Sequence, residues 1–133
     1  MIPELIRDKI SAALVSACPE AFDRIWLRAK RRRASTSVSA CFSPTSDPMA
    51  YRPLDLATGT AIALADVYTE LWKQMKATGE PVWSSLTVEF RNDGTYTVEP
   101  RYDDFSSPDF DVVRYDDEWR ERHFAGLKYQ PKG

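Results

Sequence analysis

The sequence predicts an α+β fold: an antiparallel β-sheet of about four to five strands with helices packed against it. Three observations lead there. Leu86, Val88 and Phe90 alternate with Thr87 and Glu89, as Tyr96 and Val98 alternate with Thr97 and Glu99, so each run has one apolar and one wet face. Leu64, Val67, Tyr68, Leu71 and Met75 recur at helical spacing, an amphipathic stripe. The strand runs are joined by short turns rather than single crossover helices, which favours antiparallel pairing with the helices on one face.

The elements follow in order as helix, strands, long helix, hairpin, helix. Ile6, Ile10, Ala13, Leu14 and Ala17 set a first helix from about Pro3 to Ala17, with Pro3 suited to the first turn and Pro19 forbidding continuation. Ile25, Leu27 and Ala29 alternate with Trp26, Arg28 and Lys30, and Thr36, Val38, Ala40 and Phe42 alternate with serines and Cys41. These are two strands paired through a turn at Arg32 to Ala34. Prolines 44, 48 and 53 mark Ser43 to Thr58 as a loop, with a short edge strand at Met49 to Arg52. The long helix spans about Gly59 to Ala77 and is ended by Gly79 and Pro81. A hairpin from Val82 to Glu99 turns at Asp93-Gly94, where a tight turn needs positive φ. A last helix covers roughly Asp116 to Leu127, with Asp116 and Asp117 as cap and first turn.

The 133 residues suit one domain, residues 1–133, which at this size buries roughly two-thirds of its unfolded surface and needs no disulfide or metal to hold a core. The net charge of -2 says little, but its distribution is polar. Between Arg24 and Arg33 stand six cations, at 24, 28, 30, 31, 32 and 33. Between Arg101 and Arg122 eight acids face four arginines. Cys18 and Cys41 have no zinc or redox spacing and read as free thiols in a reducing compartment. The N-terminus lacks the pattern of a secretory leader, and no apolar run approaches the ~20 residues of a membrane span, so a cytoplasmic location is expected.

The chemistry-bearing residues are few. His123 is the sole histidine and has no nucleophile motif beside it. Five isolated glycines form no phosphate loop, and the acid pairs Asp103-Asp104 and Asp116-Asp117 match no calcium loop. No cofactor, metal or catalytic residue is therefore assigned. The acids instead interleave with aromatics. Tyr102, Asp103, Asp104, Phe105, Asp109, Phe110, Asp111, Tyr115, Asp116, Asp117 and Glu118 read as a partner-binding strip in which rings anchor and charges steer. The bland alternative is a solvated face that caps a helix. A second function class is a nucleic-acid-associated module using the basic cluster Arg28 to Arg33, although no nucleic-acid motif accompanies it. A small enzyme built on paired carboxylates ranks last.

The order of the C-terminal half then becomes specific. A helix ending in Tyr68-Thr69-Glu70-Leu71-Trp72 leads to Trp83, a strand, Asp93-Gly94, Tyr96-Thr97-Val98, Tyr102-Asp103 and a closing helix with Trp119. This order resembles the YezG-like immunity proteins from about Leu64 to Phe124, and only as helix followed by strands from Ile2 to Phe42. Pro100 and the stretch Ser43 to Thr58 depart from the pattern. The resemblance implies a small non-enzymatic antitoxin that binds a cognate toxin of an interbacterial system, typically a nuclease domain, and blocks it. The acidic strip agrees with that, since nuclease clefts are cationic. Purified protein is accordingly expected to show no saturable hydrolysis of a nucleotide, peptide or ester. A turnover abolished by changing a single acid would contradict this.

Overall fold

The computed structural model describes residues 3–32 and 35–131. Its elements run α1 (Glu4–Ala17), β1 (Phe22–Arg32), β2 (Ser35–Pro44), β3 (Ala50–Leu54), α2 (Thr58–Ala77), β4 (Ser85–Arg91), β5 (Tyr96–Arg101), α3 (Val112–Phe124) and β6 (Lys128–Tyr129). The strands form one six-stranded sheet in the order β5-β4-β1-β2-β3-β6. All neighbours are antiparallel except β3 and β6. The α+β class and antiparallel pairing match the expectation. The turn expected at Arg32 to Ala34 includes Arg33 and Ala34, which lie outside the described residues.

β1 is the centre of the sheet because it is long enough to be paired on both edges. Arg24 to Lys30 are matched to β4 on one side and to β2 on the other, with Leu27 opposite both Val88 and Ala40. Ile25, Leu27 and Ala29 point to the face covered by α1 and α2. There they join Ile6, Ile10 and Leu14 of α1, Leu64, Tyr68 and Leu71 of α2, and Leu86, Val88 and Phe90 of β4 in the main core. The α2 stripe is thus core, with Val67 and Met75 at its margin. The helix stops where Gly79, at φ 77, lets Gly79 N–H donate to the Lys76 carbonyl and Glu80 N–H to that of Met75. This paired closure needs a left-handed residue, and glycine adopts it without a Cβ penalty. Trp83, expected in the hairpin, precedes β4 and is buried beneath α2, its ring edge-on to Tyr68 at 5.9 Å. Trp72 stands half-buried beside it and donates from Nε1 to the Trp83 carbonyl at 3.1 Å.

Three expectations are corrected. The helices do not share one face: α3 lies on the opposite side of the sheet. Trp26, placed by alternation on the wet face, is fully buried there with Trp119 and Phe124. The rings of Trp119 and Trp26 each meet Phe124 edge-on, at 5.0 and 4.8 Å. Trp119 Nε1 donates to the hydroxyl of buried Thr87 at 2.8 Å, so a central strand wetted by sequence pattern is dry on both faces. The last helix begins not at Asp116 but at Val112, capped by Asp111, whose carboxylate accepts from the backbone of Val113 and Arg114 at 3.1 Å each. Two β-branched valines in the first turn hide that start from a propensity reading. Finally, the short strand expected at Met49 to Arg52 is present as β3, but it is not the edge of the sheet. Beyond it β6 pairs in parallel through Lys128 N–H to the Met49 carbonyl and Gln130 N–H to that of Tyr51. Two residues are too few to show a period.

Leu71 is 3% exposed in the middle of the α2 stripe. Leu71→Ala is expected to cost about 2–5 kcal/mol of unfolding free energy in denaturant titration, through lost burial and a residual cavity. A neutral outcome would contradict this packing.

Candidate partner-binding surface

The acidic segment leaves β5 at Arg101 and returns to the sheet as α3. Phe105, Phe110 and Tyr115 pack ring against ring, with centroids 4.9 to 5.6 Å apart, and pin the loop to the sheet's α3 face. Tyr115 is buried, and Phe105 and Phe110 are half-buried, so these three aromatics hold the segment in place. Tyr102 is different: it is 58% exposed. Val112 and Val113, exposed by 54% and 66%, extend the apolar surface at the start of α3. They are absent from the expected residues because the sequence pattern begins the last helix at Asp116. The available signal was their position: Tyr115 and Trp119 already define the inward face, and two adjacent valines cannot both follow it.

The acids divide into two groups. Asp103 receives a bidentate pair from Arg101, at 2.9 and 3.0 Å, and the same guanidinium reaches Glu118 at 3.1 Å while lying 4.5 Å over the Tyr115 ring. Glu118 also accepts from Arg114, and these hydrogen bonds hold its carboxyl below the usual range. Asp116 pairs with Arg28 at 3.0 Å, and Arg28, with only 11% of its side chain exposed, lies 4.2 Å over Trp119. Asp111 serves as the helix cap. Asp104, Asp109 and Asp117 face outward. Asp104 accepts from Ser106 Oγ at 2.6 Å and from its backbone at 3.0 Å; these bonds depress its pKa, the side-chain one most. Asp117 meets Arg120 in an exposed pair. Asp109 makes no ion pair among the described residues.

The basic run is not one patch. Arg28 and Lys30 point toward α3, and burial lowers the Lys30 pKa, with Arg28 adding to it. Arg31 points the other way, toward α2, where it donates to Thr36 and Thr69. Arg32 is exposed and Arg33 lies outside the described residues. Arg31 and Arg32 form one wall of a cleft of about 630 Å³, with Trp72 and Trp83 beneath and Tyr102 to Ser107 opposite. Among the described residues no group of three histidines, cysteines, aspartates or glutamates could hold a metal ion. No helix of those residues is long and apolar enough to cross a membrane. Cys18 and Cys41 are free, and burial pushes the Cys41 thiol up to about 11, which leaves it unreactive at neutral pH.

A rigid sheet carrying an acidic, aromatic-pinned rim is a scaffold for presenting a charged surface. The family model described as "Immunity protein YezG-like" matches residues 4–132, and the chain belongs to that family of immunity proteins. The match takes in Ser43 to Thr58 as well as the C-terminal half. No curated protein matches the chain.

His123 couples this side of the molecule to pH. Its ring is half-buried at 5.1 Å from Trp119, and burial lowers its pKa from the ordinary 6.5, against the opposite pull of Glu99 and Glu89. The unfolded chain therefore takes up a proton near pH 6.5 that the folded chain refuses. The stabilisation is complete above that pH and is lost as pH falls through the lower folded value. Thermal unfolding followed from pH 7.5 to 5 is expected to show a declining midpoint, and His123→Gln a flatter one. Equal slopes for both proteins would contradict the assignment.

Proposed function

We propose that this immunity protein binds a cognate bacterial toxin domain one to one and neutralises it, and that the toxin is a nuclease with a basic cleft. The surface that meets it is the segment from Tyr102 to Glu118, extended by Val112 and Val113. The observation that carries this reading is the exposure of Tyr102, Val112 and Val113 among the outward acids Asp104, Asp109 and Asp117. Apolar anchors supply buried area, and charges of one sign raise the encounter rate with a partner of the other. The acids paired with Arg101 and Arg28 have another task. Asp103, Asp116 and Glu118 tie the loop and α3 to Arg101 and Arg28, so the surface is preformed and loses little entropy on binding. No cofactor takes part.

The acids thus differ in what their reversal should do. Asp104→Lys, Asp109→Lys and Asp117→Lys together are expected to leave folding intact, slow association with the toxin domain about tenfold or more at low salt, and lose most of that effect at high salt. A cognate toxin domain, sought in the reading frame beside this gene, is to be co-expressed with parent or variant, and association rates measured at two salt concentrations. Toxicity that persists beside the parent protein would remove the antitoxin reading. Rescue with unchanged association rates in the variant would move the interface away from this segment.

A further inference from the structure

The cleft beside the acidic segment holds a cation that the protein itself does not balance. Three arginines of β1 have a buried Nε without a hydrogen-bond partner: Arg24, Arg28 and Arg31. Two of them are compensated by carboxylates, Arg24 by Asp23 at 3.4 Å and Arg28 by Asp116 at 3.0 Å. Arg31 has no carboxylate among the described residues. Its Nη1 donates to the hydroxyls of Thr36 and Thr69, at 3.0 and 3.1 Å, and its guanidinium lies 4.7 Å over Trp72. The ammonium of Lys76 lies over the same ring at 5.1 Å, so a second cation stands nearby rather than a counter-ion. Neutral hydroxyls and a ring face replace only part of the hydration that a guanidinium loses on burial.

The other wall of the cleft defines what can balance it. Asp103 is already neutralised by Arg101, but Asp104 is held only by the neutral donors of Ser106. A nucleic-acid backbone reaching Arg31 would carry its other phosphates past Asp104. A single carboxylate beside a basic residue fits both walls: the acid for Arg31 Nη2, the nitrogen that the two threonines do not take, with Arg32 at the rim, and the base for Asp104. We infer that this cleft is the anchor point of the toxin interface and takes an aspartate or glutamate side chain of the partner, flanked by a lysine or arginine. The inference rests on the antitoxin reading and names the chemistry of the contact. It also enlarges the surface beyond the acidic segment to the end of β1.

The test compares the parent protein with Arg31→Gln and Arg32→Gln, using the cognate toxin domain identified by the co-expression experiment as the probe. Arg31→Gln is expected to raise the dissociation rate roughly thirtyfold or more with little change in association, the signature of a desolvated charge pair rather than a steering charge. In the free protein its melting midpoint should be equal or higher, because an unbalanced charge has been removed. Arg32→Gln, at an exposed site where folding is not at stake, should weaken binding about threefold. Parental kinetics in both variants would overturn the inference while leaving the antitoxin reading in place, whereas failure of the parent to bind the toxin would strike that reading first. A lowered midpoint for Arg31→Gln would make the residue a structural one and overturn the assignment. So would tight binding of a single-stranded DNA oligonucleotide that Arg31→Gln abolishes, which would make the cleft a phosphate site.

Discussion

Burial of β1 on both faces is the constraint from which the rest of the molecule follows. A strand paired on both edges and covered above and below offers little solvent to polar side chains, yet this one carries Arg24, Arg28, Lys30 and Arg31, all half-buried, among Ile25, Trp26, Leu27 and Ala29. Several of the polar groups around it find their partners inside the fold. Trp26 Nε1 donates to Glu89 on β4 at 2.8 Å, Arg28 takes Asp116 and the face of Trp119, and Trp119 in turn donates to Thr87. The contacts that satisfy β1 are therefore the contacts that hold α3. Since α3 ends the acidic loop, the position of that loop is set by the polar needs of the central strand.

This arrangement changes the meaning of the charge polarity in the sequence. Six cations near the start and eight acids near the end suggest two opposed poles. In the fold the two runs meet in one pair, Arg28 with Asp116, while Arg101, inside the acidic run, offsets Asp103 and Glu118. What remains outward is a smaller set, Asp104, Asp109, Asp117 and Glu121 with the capping Asp111 on the loop and α3, and Arg31 and Arg32 at the edge of the cleft. A linear count overstates the field because it cannot subtract pairs formed across 88 residues of chain.

The elements whose signal is local were legible in the sequence. Ile6, Ile10 and Leu14, the α2 stripe, the alternation of β4 and β5 and the turn at Gly94 need only a few neighbouring residues to declare themselves. The misreadings share a different cause, since each depends on something distant. Trp26 appears on a wet face until α3 is known to cover it. Asp116 resembles a helix cap until Arg28 claims it, and β6 exists only because β3 offers an open edge. The candidate site was legible as a segment but not residue by residue. Whether Tyr102 or Tyr115 presents its ring to solvent is decided by the cluster with Phe105 and Phe110, which no spacing rule foretells.

The division of the acids also bears on how such a surface can work. A wholly exposed acidic loop would attract a basic partner strongly but would repel itself and remain mobile, so part of the gained attraction would be lost in ordering it. A fully paired loop would be rigid but nearly field-free. Here one set of carboxylates fixes the backbone through arginines that lie over the buried rings Tyr115 and Trp119, and another set points outward from that fixed backbone. Arg101 illustrates the economy of the design, bridging Asp103 on the loop and Glu118 on α3 while covering Tyr115. Removing it would leave Asp103 unpaired and Glu118 with Arg114 alone, and would unfasten the loop from the helix at once. Rigidity and field therefore come from different residues of one segment, and each can be altered without the other.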